Sequence, residues 1–187
     1  IKATPASKVF SRHAVGLAID ALPRVMRDPS NVDARGEMQL AAFFSGIGLM
    51  NGGGGIAGAL SYPLGTFFNI PHGFAHAVFT PAVIRWNVRQ GCEVYAELYD
   101  GLPGSDSRLP IAQKAAGLER SVRAVFVEVG GPLTLGALGL DREAVDRFKE
   151  IVAAQTLLPA FQQNPVPFTA ADVAGLVEAM EQDQERG

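Results

Sequence analysis

Apolar positions recur at helical spacing along almost the whole chain, and the turn residues between them mark where each helix stops. Behind Ser7, which predicts an N-cap, Val9, Phe10, His13, Ala14, Leu17 and Ala18 fall on one stripe of a first helix that ends before Pro23. An imidazole on such a stripe, here His13, is more often packed or hydrogen-bonded in a core than a ligand. Asp28-Pro29-Ser30-Asn31 is turn chemistry, and Ser30 with Asp33 reads as a capping box for a second helix running toward Met50. The face Met38, Ala41, Ala42, Ser45, Gly46 and Leu49 is built largely of small residues that permit close approach of a neighbouring helix or a ligand.

Four glycines, Gly52 to Gly55, break that helix, and the next is predicted over 56–68. From His72 the pattern Phe74, Val78, Val83, Ile84 continues, with a kink expected at Pro81. A short helix is predicted over 90–99, followed by a polar loop over 101–109 that is the strongest internal break. Each side of it alone has a thin core, so one domain spanning 1–187 is expected. Pro110 opens a helix ended by Gly130-Gly131-Pro132. Asp141 caps another, which buries Val145, Phe148, Ile151 and Val152. The last opens at Thr169 with Asp172 as its capping partner and buries Val173, Leu176, Val177 and Met180, and the charged stretch 181–187 is expected to fray. With no alternating strand and no fixed repeat, the fold class is all-α, a helical bundle.

Composition narrows the function classes. Of 187 residues, 48% are hydrophobic and 19% charged, which fits a globular chain with one core and excludes a disordered one. A net charge of -3 leaves no electrostatic footprint for nucleic acid or an acidic membrane. No apolar run approaches the roughly 20 residues of a spanning helix, and the start has no signal-peptide pattern. The single cysteine, Cys92, excludes an internal disulfide and fits a reducing, cytoplasmic setting. The start at Ile1, behind no initiator methionine, leads to the expectation of a piece of a longer polypeptide.

Candidate chemistry concentrates in 51–87, which holds two of the three histidines and the one tryptophan. The glycine run lacks the lysine of a phosphate-binding loop and follows no strand, so a flexible connection between helices is the simpler reading. Pro71 suits the first position of a helix, and His72 and His76 then share one face at i, i+4, where two imidazoles reach one metal ion or one substrate group. Phe67, Phe68 and Phe74 form either an apolar wall around His72 or part of the core, and Trp86 reads as a core or interface aromatic.

Tyr62-Pro63-Leu64-Gly65, Asn69-Ile70-Pro71-His72-Gly73, Ala77-Val78 and the run from Pro81 to Asn87 resemble the central motif of the iron-containing (group III) alcohol dehydrogenases. The resemblance runs from Leu22-Pro23 to Asn164-Pro165-Val166-Pro167 and covers only that family's C-terminal helical domain, of the kind shared with dehydroquinate synthase-like proteins. It implies an oxidoreductase acting on a small alcohol, aldehyde or ketone. A divalent metal, Fe(2+) or Zn(2+), would sit in a cleft beside an N-terminal nucleotide-binding domain, which holds most of an NAD or NADP cofactor. It also implies a homo-oligomer, while the charge and the lack of a long apolar run lead to the expectation of no nucleic acid or membrane partner.

The family's ligand set is one aspartate and three histidines. His72 matches the last of these, Gly58 stands at the preceding histidine ligand, and Tyr62 stands at a further active-site histidine. The aspartate and first histidine would precede Ile1. Three readings follow. In the first, the metal is kept with His76 in place of the lost ligand. In the second, the parent is a metal-free reductase in which Tyr62 or a histidine supplies the proton, as the maleylacetate reductase branch, with its histidine at the place of His76, suggests. In the third, the domain is a non-catalytic oligomerisation or partner-binding module. A phenol can protonate a developing alkoxide but, with an ordinary pKa of about 10, is a poor base at neutral pH. Asn164-Pro165 matches a family loop near the cleft and is by its own chemistry a turn.

Overall fold

Pro5–Arg27 forms the first helix (α1) in the computed structural model, which describes residues 3–184. Thr4 is its N-cap and Ser7 the reciprocal partner inside the first turn, so the helix begins three residues before the point that a Ser7 cap would set. The helix passes through Pro23 to Arg27. After the turn, Asn31 caps α2 (Val32–Gly52) by accepting from the Ala34 N–H, while Ser30 bonds back to Asp28. The others are α3 (Gly55–Phe68), α4 (His72–Arg89), α5 (Tyr95–Tyr99), α6 (Ile111–Glu128), α7 (Arg142–Ala153) and α8 (Ala170–Gln184), with two single 3-10 turns. No strand occurs among the described residues, so the all-α expectation holds. The helix expected over 90–99 shrinks to α5, because Gly91 turns at φ 81 and interrupts it.

The chain divides into two compact units. One holds residues 3–53 and Gly91–Gly130. Here α1 and α2 form a hairpin along two seams of small residues at seven-residue spacing: Ser7, Ala14 and Ala21 on α1, and Ala34, Ala41 and Gly48 on α2. A Cβ on Gly48 would stand 2.4 Å from Ser11 Oγ and 3.8 Å from Ser11 Cα, so the helices approach closely here and a side chain at 48 would make the Ser11 hydroxyl turn away. The small-residue face read from the sequence is displaced from this seam: Ala42, Ser45, Gly46 and Leu49 are exposed.

The second unit holds Gly54–Gln90 and residues from 131 onward. Its core joins Ile56, Leu60 and Leu64 of α3, Val78, Phe79 and Val83 of α4, Phe148 and Val152 of α7, and Val173, Leu176 and Val177 of α8. Caps foreseen in the sequence are in place: Asp141 accepts from the Ala144 N–H, and Asp172 accepts from Thr169. Helix α4 runs through the buried Pro81 to Arg89. Trp86 meets Phe168 edge-on at 5.1 Å and packs against the core.

The 164–167 loop is more than a turn. Asn87 and Asn164, both buried, exchange amide bonds at 3.0 and 2.6 Å, and Asn164 also donates to the Val166 carbonyl at 2.8 Å. This clamp ties the loop to α4. Asn164→Ala removes all three bonds and strips the buried Asn87 amide of its reciprocal partner, with an expected loss of about 2–3 kcal/mol. Urea denaturation checks it, and a loss under about 0.5 kcal/mol would contradict the clamp.

Candidate functional site

The site is carried by the α3–α4 hairpin, and three residues fix its turn. Asn69 takes the left-handed conformation at φ 55, ψ 31, and the Ile70 N–H reaches back to the Leu64 carbonyl at 3.2 Å, a glycine-type helix stop made with asparagine. Pro71 is extended at φ -56, ψ 135 and serves as N-cap, one position earlier than the sequence suggested. Its carbonyl accepts from the Ala75 N–H at 3.0 Å, which makes His72 the first residue of α4.

His76 follows one turn later on the same face, and the two imidazoles lie edge to face with centroids 5.9 Å apart. Across the hairpin, Tyr62 of α3 stands beside His72, ring centroids 5.9 Å apart. Gly58, one turn before Tyr62, faces His76: a Cβ built on it would lie 3.7 Å from His76 Nε2. Two i, i+4 pairs, Gly58/Tyr62 and His76/His72, thus oppose each other. The structure brings together all three residues singled out in the sequence: Tyr62, His72 and His76.

Their environments differ. His72 is exposed, His76 is half-buried and Tyr62 is 65% exposed. Burial first, and the neighbouring His72 second, hold the His76 imidazolium below the ordinary histidine range, so this ring is neutral near pH 7. Phe67 and Phe74 are 47% and 57% exposed, whereas Phe68 turns inward to meet Phe148 edge-on at 6.3 Å. Two of the three phenylalanines therefore stay on the surface and only Phe68 belongs to the core. His13, expected in a core, is exposed and touches Phe44 edge-on at 5.3 Å.

No group of three or more histidine, cysteine, aspartate or glutamate side chains suited to a metal exists among the described residues. His72 and His76 supply two donors, and Gly58 supplies none. A tetrahedral catalytic site takes three protein ligands, so the residues present do not make a metal centre by themselves. Thr80, which contacts the His76 ring, escaped the sequence reading; its place four residues after His76 was the available signal.

The profile of the "Fe-containing alcohol dehydrogenase family, C-terminal" matches residues 1–180. Long-chain-alcohol dehydrogenase 1 of Geobacillus thermodenitrificans is 29% identical over 180 residues, covering 96% of this chain and 45% of that protein. The NAD-dependent methanol dehydrogenase of Bacillus methanolicus is 25% identical, over 94% of this chain and 45% of its own. The iron-containing alcohol dehydrogenase of Thermococcus thioreducens superposes with a TM-score of 0.78 at 25% identity, over 96% of this chain and 45% of that one. The chain spans about half the length of the relatives it matches.

Proposed function

Since the chain belongs to the iron-containing alcohol dehydrogenase family, as its C-terminal part, we propose that it supplies the helical half of an NAD- or NADP-linked enzyme that oxidises an alcohol or reduces an aldehyde or ketone. The observation that carries this reading is the exposed imidazole of His72 at the opening of α4, with Tyr62 and His76 gathered around it. The names of the relatives, a long-chain alcohol and a methanol dehydrogenase, support an alcohol or its carbonyl product as substrate.

Oxidation of an alcohol removes a hydride from carbon and a proton from oxygen. When bound, a nicotinamide cofactor supplies the hydride acceptor. The side chains here handle the oxygen end. His72 binds and orients the oxygen, the neutral His76 accepts its proton, and when a carbonyl is reduced the Tyr62 hydroxyl or the protonated His76 donates a proton to the alkoxide. Exposed Phe67 and Phe74 offer apolar surface to the carbon chain and help exclude water. An Fe(2+) or Zn(2+) ion would need further ligands beyond the described residues, and none of these steps is routed through one.

The reading further takes residues 1–187 as one domain of a cytoplasmic homo-oligomer without nucleic acid or membrane partners. Among the described residues no single helix is long and apolar enough to cross a membrane. Hydride transfer needs cofactor and substrate held in contact, and a helical half without a nucleotide-binding fold does not provide that. We therefore expect no NAD(P)H-linked turnover from these 187 residues over a panel of alcohols and aldehydes, and turnover from the longer polypeptide that carries them. Turnover by the 187 residues alone contradicts the two-part mechanism. An inert longer polypeptide favours the non-catalytic oligomerisation or partner-binding module.

A further inference from the structure

Thr80 and Gly58 act on His76 from opposite sides. The Thr80 hydroxyl lies 2.9 Å from the His76 carbonyl oxygen, a bond it donates to the preceding turn, and 3.3 Å from His76 Nδ1. A hydroxyl has one proton. Once that proton goes to the carbonyl, Oγ1 can only accept from the ring, which places the imidazole proton on Nδ1. In a neutral imidazole the other nitrogen, Nε2, then carries a bare lone pair.

Nε2 is the atom that faces Gly58, and a Cβ at position 58 would rest on it at 3.7 Å. That is ordinary contact, so alanine fits without a clash. Gly58 has no left-handed backbone that would demand glycine, and it sits in the fourth position of α3, where glycine costs about 1 kcal/mol against alanine. Neither backbone conformation nor packing accounts for a glycine here. What the missing side chain leaves is access to Nε2 from the α3 side.

We infer that Thr80 is a positioning residue that holds His76 in its Nδ1–H form, so that the bare Nε2, left open by Gly58, accepts a hydrogen bond from the hydroxyl of an alcohol substrate. The ligand's identity rests on the proposed function; the tautomer and the opening do not. Thr80 acts through His76, and Gly58 acts by leaving room.

Nitrogen-15 NMR reads the tautomer directly, since these 187 residues contain only three histidines. His76, identified by loss of its signals in His76→Gln, is expected to show a protonated Nδ1 and a bare Nε2. Thr80→Val abolishes that preference and Thr80→Ser restores it. A ring protonated on Nε2 in the wild type overturns the role of Thr80, whatever the activity.

In the intact protein, Thr80→Val is expected to lower kcat/KM for alcohols about tenfold or more, the range for a lost orienting partner, with Thr80→Ser within about twofold of wild type. Gly58→Ala keeps or raises the urea midpoint and lowers kcat/KM at least about tenfold, because its methyl covers Nε2. Unchanged kcat/KM in Gly58→Ala overturns the opening. A wild type inert toward every alcohol and carbonyl overturns the substrate assignment together with the proposed function, and the NMR result separates that failure from failure of the positioning.

Discussion

His72→Ala is expected to lower kcat/KM of the intact protein for alcohols by about 10²- to 10⁴-fold, the range for losing a positioned group at the reacting oxygen. The same change leaves stability within about 0.5 kcal/mol of wild type, because the ring is exposed and helps fill no cavity. His72 opens α4, where alanine is the better helix former, so helix propensity does not favour histidine there. A residue that costs nothing to remove from the fold and nearly everything to remove from turnover is held in place for its chemistry. Steady-state kinetics beside urea denaturation of the same preparation separates the two. Iron and zinc contents of wild type and variant, compared in the same samples, report whether His72 also holds an ion. Activity retained within twofold would remove the observation on which the oxidoreductase reading stands.

His72 and His76 were legible in the sequence because i, i+4 spacing on a helix determines which side chains share a face. Tyr62 was legible only through the family motif, since its approach to His72 depends on how α3 and α4 fold onto each other. That fold-back hangs on Asn69, whose left-handed conformation is a property of one residue at a helix end and leaves no periodic trace. The i, i+4 spacing of Thr80 and His76 was there to be read, but which of the two groups donates was not, because that depends on where one hydroxyl proton points.

The same division holds for the fold. Helical periodicity and short-range caps such as Asp141 and Thr169 with Asp172 were readable because they are local. Pro23 misled because α1 gains from its packing against α2 more than it loses at one missing N–H. The small-residue seam was misplaced because it repeats every seven residues and has alanine and serine in it, which hydrophobic periodicity scores weakly. The Asn87 and Asn164 clamp joins residues far apart in sequence, and two asparagines carry no apolar signal at all.

Phe148→Ala is expected to cost about 3–5 kcal/mol, the range for emptying a buried phenylalanine site. Phe148 is fully buried, stacks on Phe79 of α4 with centroids 5.6 Å apart, and meets the edge of Phe68 at the end of α3. One side chain of α7 thus props both helices of the hairpin that carries the site. Arg147 adds its guanidinium over the Phe68 ring at 5.9 Å, so Phe68 is held from two sides by neighbouring α7 residues. An empty space there frees Phe68, and Phe68 is followed at once by the Asn69 turn that sets His72 against Tyr62. The substitution should therefore lower the melting temperature by roughly 10 °C and also depress kcat/KM in the protein that remains folded. Phe148→Leu refills most of the volume and should recover the larger share of both losses. If the leucine variant recovered stability but not activity, the aromatic stack itself, and not merely the filled volume, would be what keeps Tyr62 opposite His72.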